Sequence, residues 1–120
     1  MKPISKLAYG EKMFTEIVWA HEPLPSSELA RLAEQAFGWK RTTTYTVLKR
    51  LQDRGFLVNE NGIVRSLITR EDYQSAIGNA FLQESFEGSL PSFVAAFTSK
   101  NKLTEEEIRE LRRLIDSCDS

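Results

Sequence analysis

The stretch FGWKRTTTYTVLKRLQDRGFL, residues 37–57, sets three consecutive threonines between two basic pairs, Lys40-Arg41 and Lys49-Arg50. Threonine is a poor helix former, because its branched Cβ loses side-chain freedom against the preceding turn. Yet Thr44, Val47, Leu48 and Leu51 follow the i, i+3, i+4, i+7 spacing of a buried helical stripe. With that stripe turned inward, Thr42, Thr43, Tyr45, Thr46 and Lys49 face outward. Short hydroxyls, methyl groups and a phenol at the amino end of an exposed basic helix suit base edges in a DNA major groove, where thymine methyls and mixed donor and acceptor patterns are displayed. Thr42, Thr43, Tyr45 and Thr46 are therefore the expected base-reading residues. Lys40, Arg41, Lys49, Arg50 and Arg54, with Arg65 beyond the helix, are the expected phosphate contacts, which set position and affinity without reading sequence. The helix amino terminus adds its own attraction for phosphate. In the competing reading the threonines only cap a helix and the bases form a solvated face.

The charge distribution favours the first reading. The formal net charge is −1, but residues 40–70 hold seven Lys and Arg against Asp53 and Glu60, whereas residues 71–120 hold five bases against ten acids. A basic middle followed by an acidic remainder fits a polyanion-binding segment joined to a different module. Catalysis finds little support. His21 is the only histidine and Cys118 the only cysteine, so neither a cysteine-built zinc site nor an internal disulfide is expected. Ser26, Ser27, Ser66 and Ser89 have no nearby base to activate a nucleophile. The glycines stand at element ends and form no phosphate loop. No enzyme activity, metal or cofactor is expected. The amino terminus has no apolar stretch like a signal peptide, and no run approaches a membrane span, so the expected location is the cytoplasm.

The elements that must position this helix can be read on either side of it. EKMFTEIVWA places Met13 or Phe14, Ile17, Val18 and Ala20 on one helical stripe, and Pro23 and Pro25 stop it. Ser26 or Ser27 can cap a second helix with Leu29, Leu32, Ala33 and Ala36 inward and Gly38 just past its end. The third helix runs from about Arg41 to Arg54, and Gly55 closes it. Two β-prone runs follow, joined through the Asn61-Gly62 hairpin signal. Three helices and then a hairpin is the order of a winged helix-turn-helix. The remainder reads as helical: Thr69 with Asp72 opens one helix, SLPSFVAAF starts a second, and Thr104 caps a third. Its apolar residues, including Tyr73, Phe81, Phe86, Phe93 and Phe97, exceed what three short helices can bury alone. Such modules commonly pair with a second copy, most often as a symmetric dimer.

The chain resembles the penicillinase-repressor family (BlaI/MecI/CopY type) of bacterial transcriptional repressors over nearly its whole length. The likeness is carried by EIVW, by LPSSELA, by Trp39 followed by TTTYTVLKRLQDRGFL, by SLITREDY after the wing, and by SFVAAF and LTEEEIRELRRLI towards the end. It implies a mostly α fold with a small β-hairpin: a winged-helix DNA-binding domain, residues 1–69, followed by a helical dimerisation domain, residues 70–120. The dimer face would carry Phe81, Phe93, Phe97, Ile108, Leu111 and Ile115. The implied function is a homodimeric repressor on a palindromic double-stranded operator, controlling a resistance or stress operon such as one for antibiotic resistance. In the beta-lactam branch a membrane-bound sensor protease cuts the dimerisation domain at an Asn-Phe bond, and the matching candidate cleavage site here is Ala96-Phe97. Family members often hold basic residues where this chain has Thr42 and Tyr45. The copper-responsive branch carries a carboxyl-terminal cysteine cluster, for which Cys118 alone does not suffice. Two other readings stand beside this one: a ligand-sensing winged-helix repressor with a pocket near Tyr73, Phe81 and Phe86, and a winged helix used for protein-protein contact.

Overall fold

A computed structural model of the chain describes residues 4–118. They form two compact units, one extending to Gly78 and the other starting at Asn79.

The first unit begins with α1 (Tyr9–His21), β1 (Leu24–Pro25), α2 (Ser26–Phe37) and α3 (Arg41–Asp53). The strands β2 (Leu57–Glu60) and β3 (Ile63–Ser66) follow, and α4 (Arg70–Phe86) starts in this unit. The expected inward residues of α3 are all buried: Thr44, Val47, Leu48 and Leu51. They pack with Phe14 and Val18 of α1, Leu29 and Ala33 of α2, Phe56, Leu57 and Val64 of the wing, and Tyr73 of α4. Each large aliphatic or aromatic side chain removed from water here contributes about 1.5–3 kcal/mol before entropy is charged against it. Phe14 also stacks on Trp39, with ring centroids 5.6 Å apart, so the chain two residues before the basic helix is anchored to the same core.

The turn chemistry explains where the elements stop. Gly38 ends α2 with φ 72, and Gly55 follows α3 with φ 83, values that a side chain would resist. Asn61 and Gly62 both have positive φ, 53 and 85, as a two-residue hairpin of the first primed type requires. The register across it pairs Glu60 with Ile63 and Leu57 with Ser66.

Ala36, expected inward on α2, is exposed, with Ala30 buried instead, and two larger features also differ from expectation. The hairpin gains a third strand: β1 pairs antiparallel with β3, Leu24 opposite Val64, giving the sheet order β1-β3-β2. Pro25 lacks an N–H to donate, which is tolerated at this sheet edge. The second difference is the start of α2. Neither Ser26 nor Ser27 caps it; Pro25 occupies the cap position, without a side-chain hydrogen bond. Ser26 is the first residue of the helix, and its N–H, which has no partner within the helix, donates to the carbonyl of Gly62 at the wing turn, 2.7 Å away.

The second unit contains the end of α4, α5 (Leu90–Lys100) and α6 (Glu105–Ser117). Local signals define its helices. Ser89 Oγ accepts from the Ser92 N–H at 3.1 Å, while Thr104 and Glu107 form a reciprocal capping box at 3.0 and 2.8 Å. Phe93 gathers Phe81, Phe86 and Phe97 at centroid distances of 5.6, 5.4 and 5.9 Å. None of the described residues of this unit is buried. No described helix of the chain is long and apolar enough to cross a membrane.

Candidate nucleic-acid interface

Helix α3 presents Thr42, Thr43, Tyr45 and Thr46 to solvent, all four exposed. Their chemistry is not uniform. The Thr46 hydroxyl donates to the Thr42 carbonyl one turn back, 2.8 Å away. Its hydrogen is thus used on the helix, so Thr46 offers a methyl group and oxygen lone pairs outward. The Tyr45 hydroxyl donates to Ser26 Oγ at 3.2 Å, which ties its ring towards the start of α2. Thr42 and Thr43 project from the first turn, which carries no acidic residue. Thr44 lies on the other side, fully buried, and its Oγ1 has no hydrogen-bond partner.

The basic residues fall into two groups. Among the described residues, Lys40 and Arg41 have no ion-pair partner, and both are exposed at the amino end of α3. The other four face carboxylates of the same chain. Lys49 lies 3.8 Å from Asp53, a loose and exposed pair. Arg65 on β3 meets Glu60 at 2.8 Å across the wing. Arg50 and Arg54 both turn towards Glu11 of α1, at 3.3 and 2.8 Å. Arg54 additionally donates to Ser5 Oγ and to the carbonyl of Lys6, and lies over the Phe56 ring at 5.2 Å.

Glu11 organises this side of the helix. Its side chain is only 10% exposed, and its Oε1 accepts from the Ala8 N–H at 2.9 Å as well as from Arg54. Burial opposes ionisation, but the Ala8 N–H and the guanidinium groups of Arg54 and Arg50 outweigh it and hold the carboxyl below its ordinary value. Glu16, further along the same helix, behaves alike: burial raises its pKa, and contacts with Arg70 and Lys12 lower it further than burial lifts it.

Other features bear on alternatives. An open, mostly apolar groove of about 950 Å³ runs along the start of α1 and α4, lined by Leu7, Tyr9, Met13, Tyr73 and Ile77. Phe81 and Phe86 do not line it; they pack on each other, 5.8 Å apart, in the second unit. The candidate dimer residues Phe81, Phe97, Leu111 and Ile115 are exposed, and Phe93 and Ile108 are half-buried. Ala96-Phe97 lies within α5 with both side chains exposed. Among the described residues no group of acids, histidines and cysteines could hold a metal.

The model of the penicillinase repressor family matches residues 7–117. The chain belongs to that family. Relatives include the penicillinase repressor of Bacillus licheniformis, 26% identical over 97% of this chain and 94% of that protein. The methicillin resistance regulatory protein MecI of Staphylococcus aureus is 24% identical over 92% of this chain and 94% of its own length. The solution structure of the DNA-binding domain of the repressor BlaI covers 61% of this chain and 94% of that domain, at 25% identity and a TM-score of 0.54. A second solution structure, of monomeric Bacillus licheniformis BlaI in complex with the blaP half-operator, matches with the same coverage and identity and a TM-score of 0.51.

Within this penicillinase-repressor chain, sequence reasoning placed the exposed face of α3 and overlooked what lies behind it. Glu11 had a visible signal. It precedes Phe14 by three residues and Val18 by seven, so a carboxylate sits in the apolar row of α1 and must find cations there. Ser26, which receives Tyr45 and donates to the wing, had none.

Proposed function

We propose that this chain is a homodimeric, sequence-specific DNA-binding repressor acting on a palindromic operator of a resistance or stress operon. Each subunit sets α3 in a major groove, as the second helix of a helix-turn-helix does, and the dimer fixes the half-site spacing. The observation that carries this reading is the outward face of α3: hydroxyls at Thr42, Thr43, Tyr45 and Thr46, with Lys40 and Arg41 exposed at its amino end. The DNA-bound BlaI relative supports it by homology. Of the six expected phosphate contacts, Lys40, Arg41, Lys49, Arg50 and Arg65 take that role in this reading, and Arg54 is set apart because Glu11, Ser5 and the Lys6 carbonyl engage it. Residues 1–69 form the DNA-binding domain and 70–120 the dimerisation domain, with Phe81, Phe93, Phe97, Ile108, Leu111 and Ile115 on the shared face. Cleavage by a membrane sensor protease at Ala96-Phe97 belongs to the same reading, since it would divide α5 in the middle of that face.

A winged helix used only for protein contact would not need so basic and hydroxyl-rich a surface. A ligand-sensing repressor is the second reading, favoured by the groove beside Tyr73, whose volume of about 950 Å³ suits a small apolar molecule.

The deciding experiment is selection of fragments bound by the purified chain from genomic DNA. Recovery of a twofold-symmetric sequence, bound with an affinity that falls by a log-log slope of about 0.9 per neutralised phosphate as salt rises, is the expected result. Recovery of no enriched sequence removes the reading.

A further inference from the structure

We propose that Glu11 sorts the two arginines at the end of α3: Arg54 is held permanently by the fold, while Arg50 exchanges Glu11 for a DNA phosphate on binding. The inference deepens the DNA-binding reading and rests on it.

The two side chains share a carboxylate but not their circumstances. Arg54 is 28% exposed and donates to three acceptors at 2.8–3.1 Å, Glu11 Oε1, Ser5 Oγ and the Lys6 carbonyl, while stacking on Phe56. Removing it from these would leave a buried carboxylate and several acceptors short of a donor. Arg50 is 53% exposed and reaches Glu11 Oε2 at 3.3 Å. That pair is long for a charge-assisted hydrogen bond, which normally spans about 2.7–2.9 Å.

The two residues sit one turn apart on the same edge of α3 and differ in exposure and partners. Arg50 follows Thr43 by seven and Thr46 by four, so it shares the row of the exposed threonines. Arg54, one turn further on at the end of the helix, is turned back onto Ser5, Lys6 and Phe56 and is about half as exposed as Arg50. Arg50 is therefore the member of the pair that can turn to a phosphate flanking the groove. When it leaves, Glu11 Oε1 keeps Ala8 and Arg54 as donors, so the carboxylate stays paired. Glu11 is a positioning residue here: it parks one arginine beside the reading face and competes with phosphate for it, which restrains binding to arbitrary sequence.

The test uses the full chain and a mixed-sequence duplex of about three helical turns, titrated across a range of salt. Arg50→Ala should reduce the salt slope by about 0.9 for each phosphate that the guanidinium no longer neutralises, and Arg50→Lys should restore it. Arg54→Ala should lower the melting temperature and leave the slope unchanged. Glu11→Gln should raise affinity for the mixed duplex several-fold, and that gain should vanish in the Glu11→Gln/Arg50→Ala double variant. An equal drop of slope in Arg50→Ala and Arg54→Ala overturns the sorting, as does a Glu11→Gln gain that survives in the double variant. If Glu11→Gln does not fold, the comparison of the two arginine variants still decides. A wild-type chain that binds no duplex at all refutes the DNA-binding reading instead.

Discussion

Phe14 and Phe97 are the same side chain in opposite circumstances. In the first unit Phe14 is completely buried against Trp39 and the core residues of three helices and a sheet; in the second, Phe97 remains 44% exposed although it touches Phe93. The first unit draws its core from elements far apart in sequence and closes around it. The second has well-capped helices, a cluster of phenylalanine rings, and no buried residue among those described. Capping and dipole complementarity give helices, but too short a chain cannot enclose what those helices expose. Leu111, Leu114 and Ile115 along α6 and Leu90 and Val94 on α5 are exposed in the same way. A second copy that covers them would supply the missing layer, which is why the proposed dimer is assigned to this part of the chain.

The contrast can be broken from either side. The largest effect belongs to the closed unit: Phe14→Ala should destabilise it by about 3–5 kcal/mol, read by denaturant unfolding. The same truncation at Phe97 should cost the isolated fold far less. The next effect tests the open unit. Phe97→Asp should split the dimer in sedimentation experiments and lower operator affinity roughly 100-fold or more, because the half-sites would lose their linkage. A Phe97→Asp chain that still sediments as a dimer refutes that placement.

Acid gives a smaller, signed effect. Glu11 and Glu16 have depressed pKa values in the fold, so their stabilisation is complete above the ordinary carboxylate range and is lost as pH falls through the depressed values. Glu11→Gln should flatten the decline of melting temperature in acid; an unchanged decline would mean that Glu11 carries none of it. The smallest effect concerns Thr44, whose buried hydroxyl lacks a partner. Thr44→Val should leave stability unchanged or raise it by up to about 1 kcal/mol without altering DNA binding.

Much of the first unit was legible because its signals are local. The buried row of α3 follows from helical period, and the exposed threonines follow from that row. The wing turn follows from Asn61-Gly62, a pair that enters two consecutive positive φ values cheaply. The parts that escaped depend on partners distant in sequence. β1 is two residues long and includes a proline, so only its pairing with Val64 and Ile63 makes it a strand. The helix starts one residue earlier than the capping expectation for Ser26, whose N–H pairs with the Gly62 carbonyl far along the chain. That Arg50 and Arg54 share Glu11, on a different helix, is likewise a contact between residues far apart in sequence.

Ser26 also fixes a dimension of the molecule. Its backbone N–H donates to the wing turn and its hydroxyl receives the phenol of Tyr45 on α3. One small residue therefore links the wing turn and α3, the two projections proposed to meet a duplex. An insertion that moved the wing turn would therefore pull on the start of α2 and, through Tyr45, on α3.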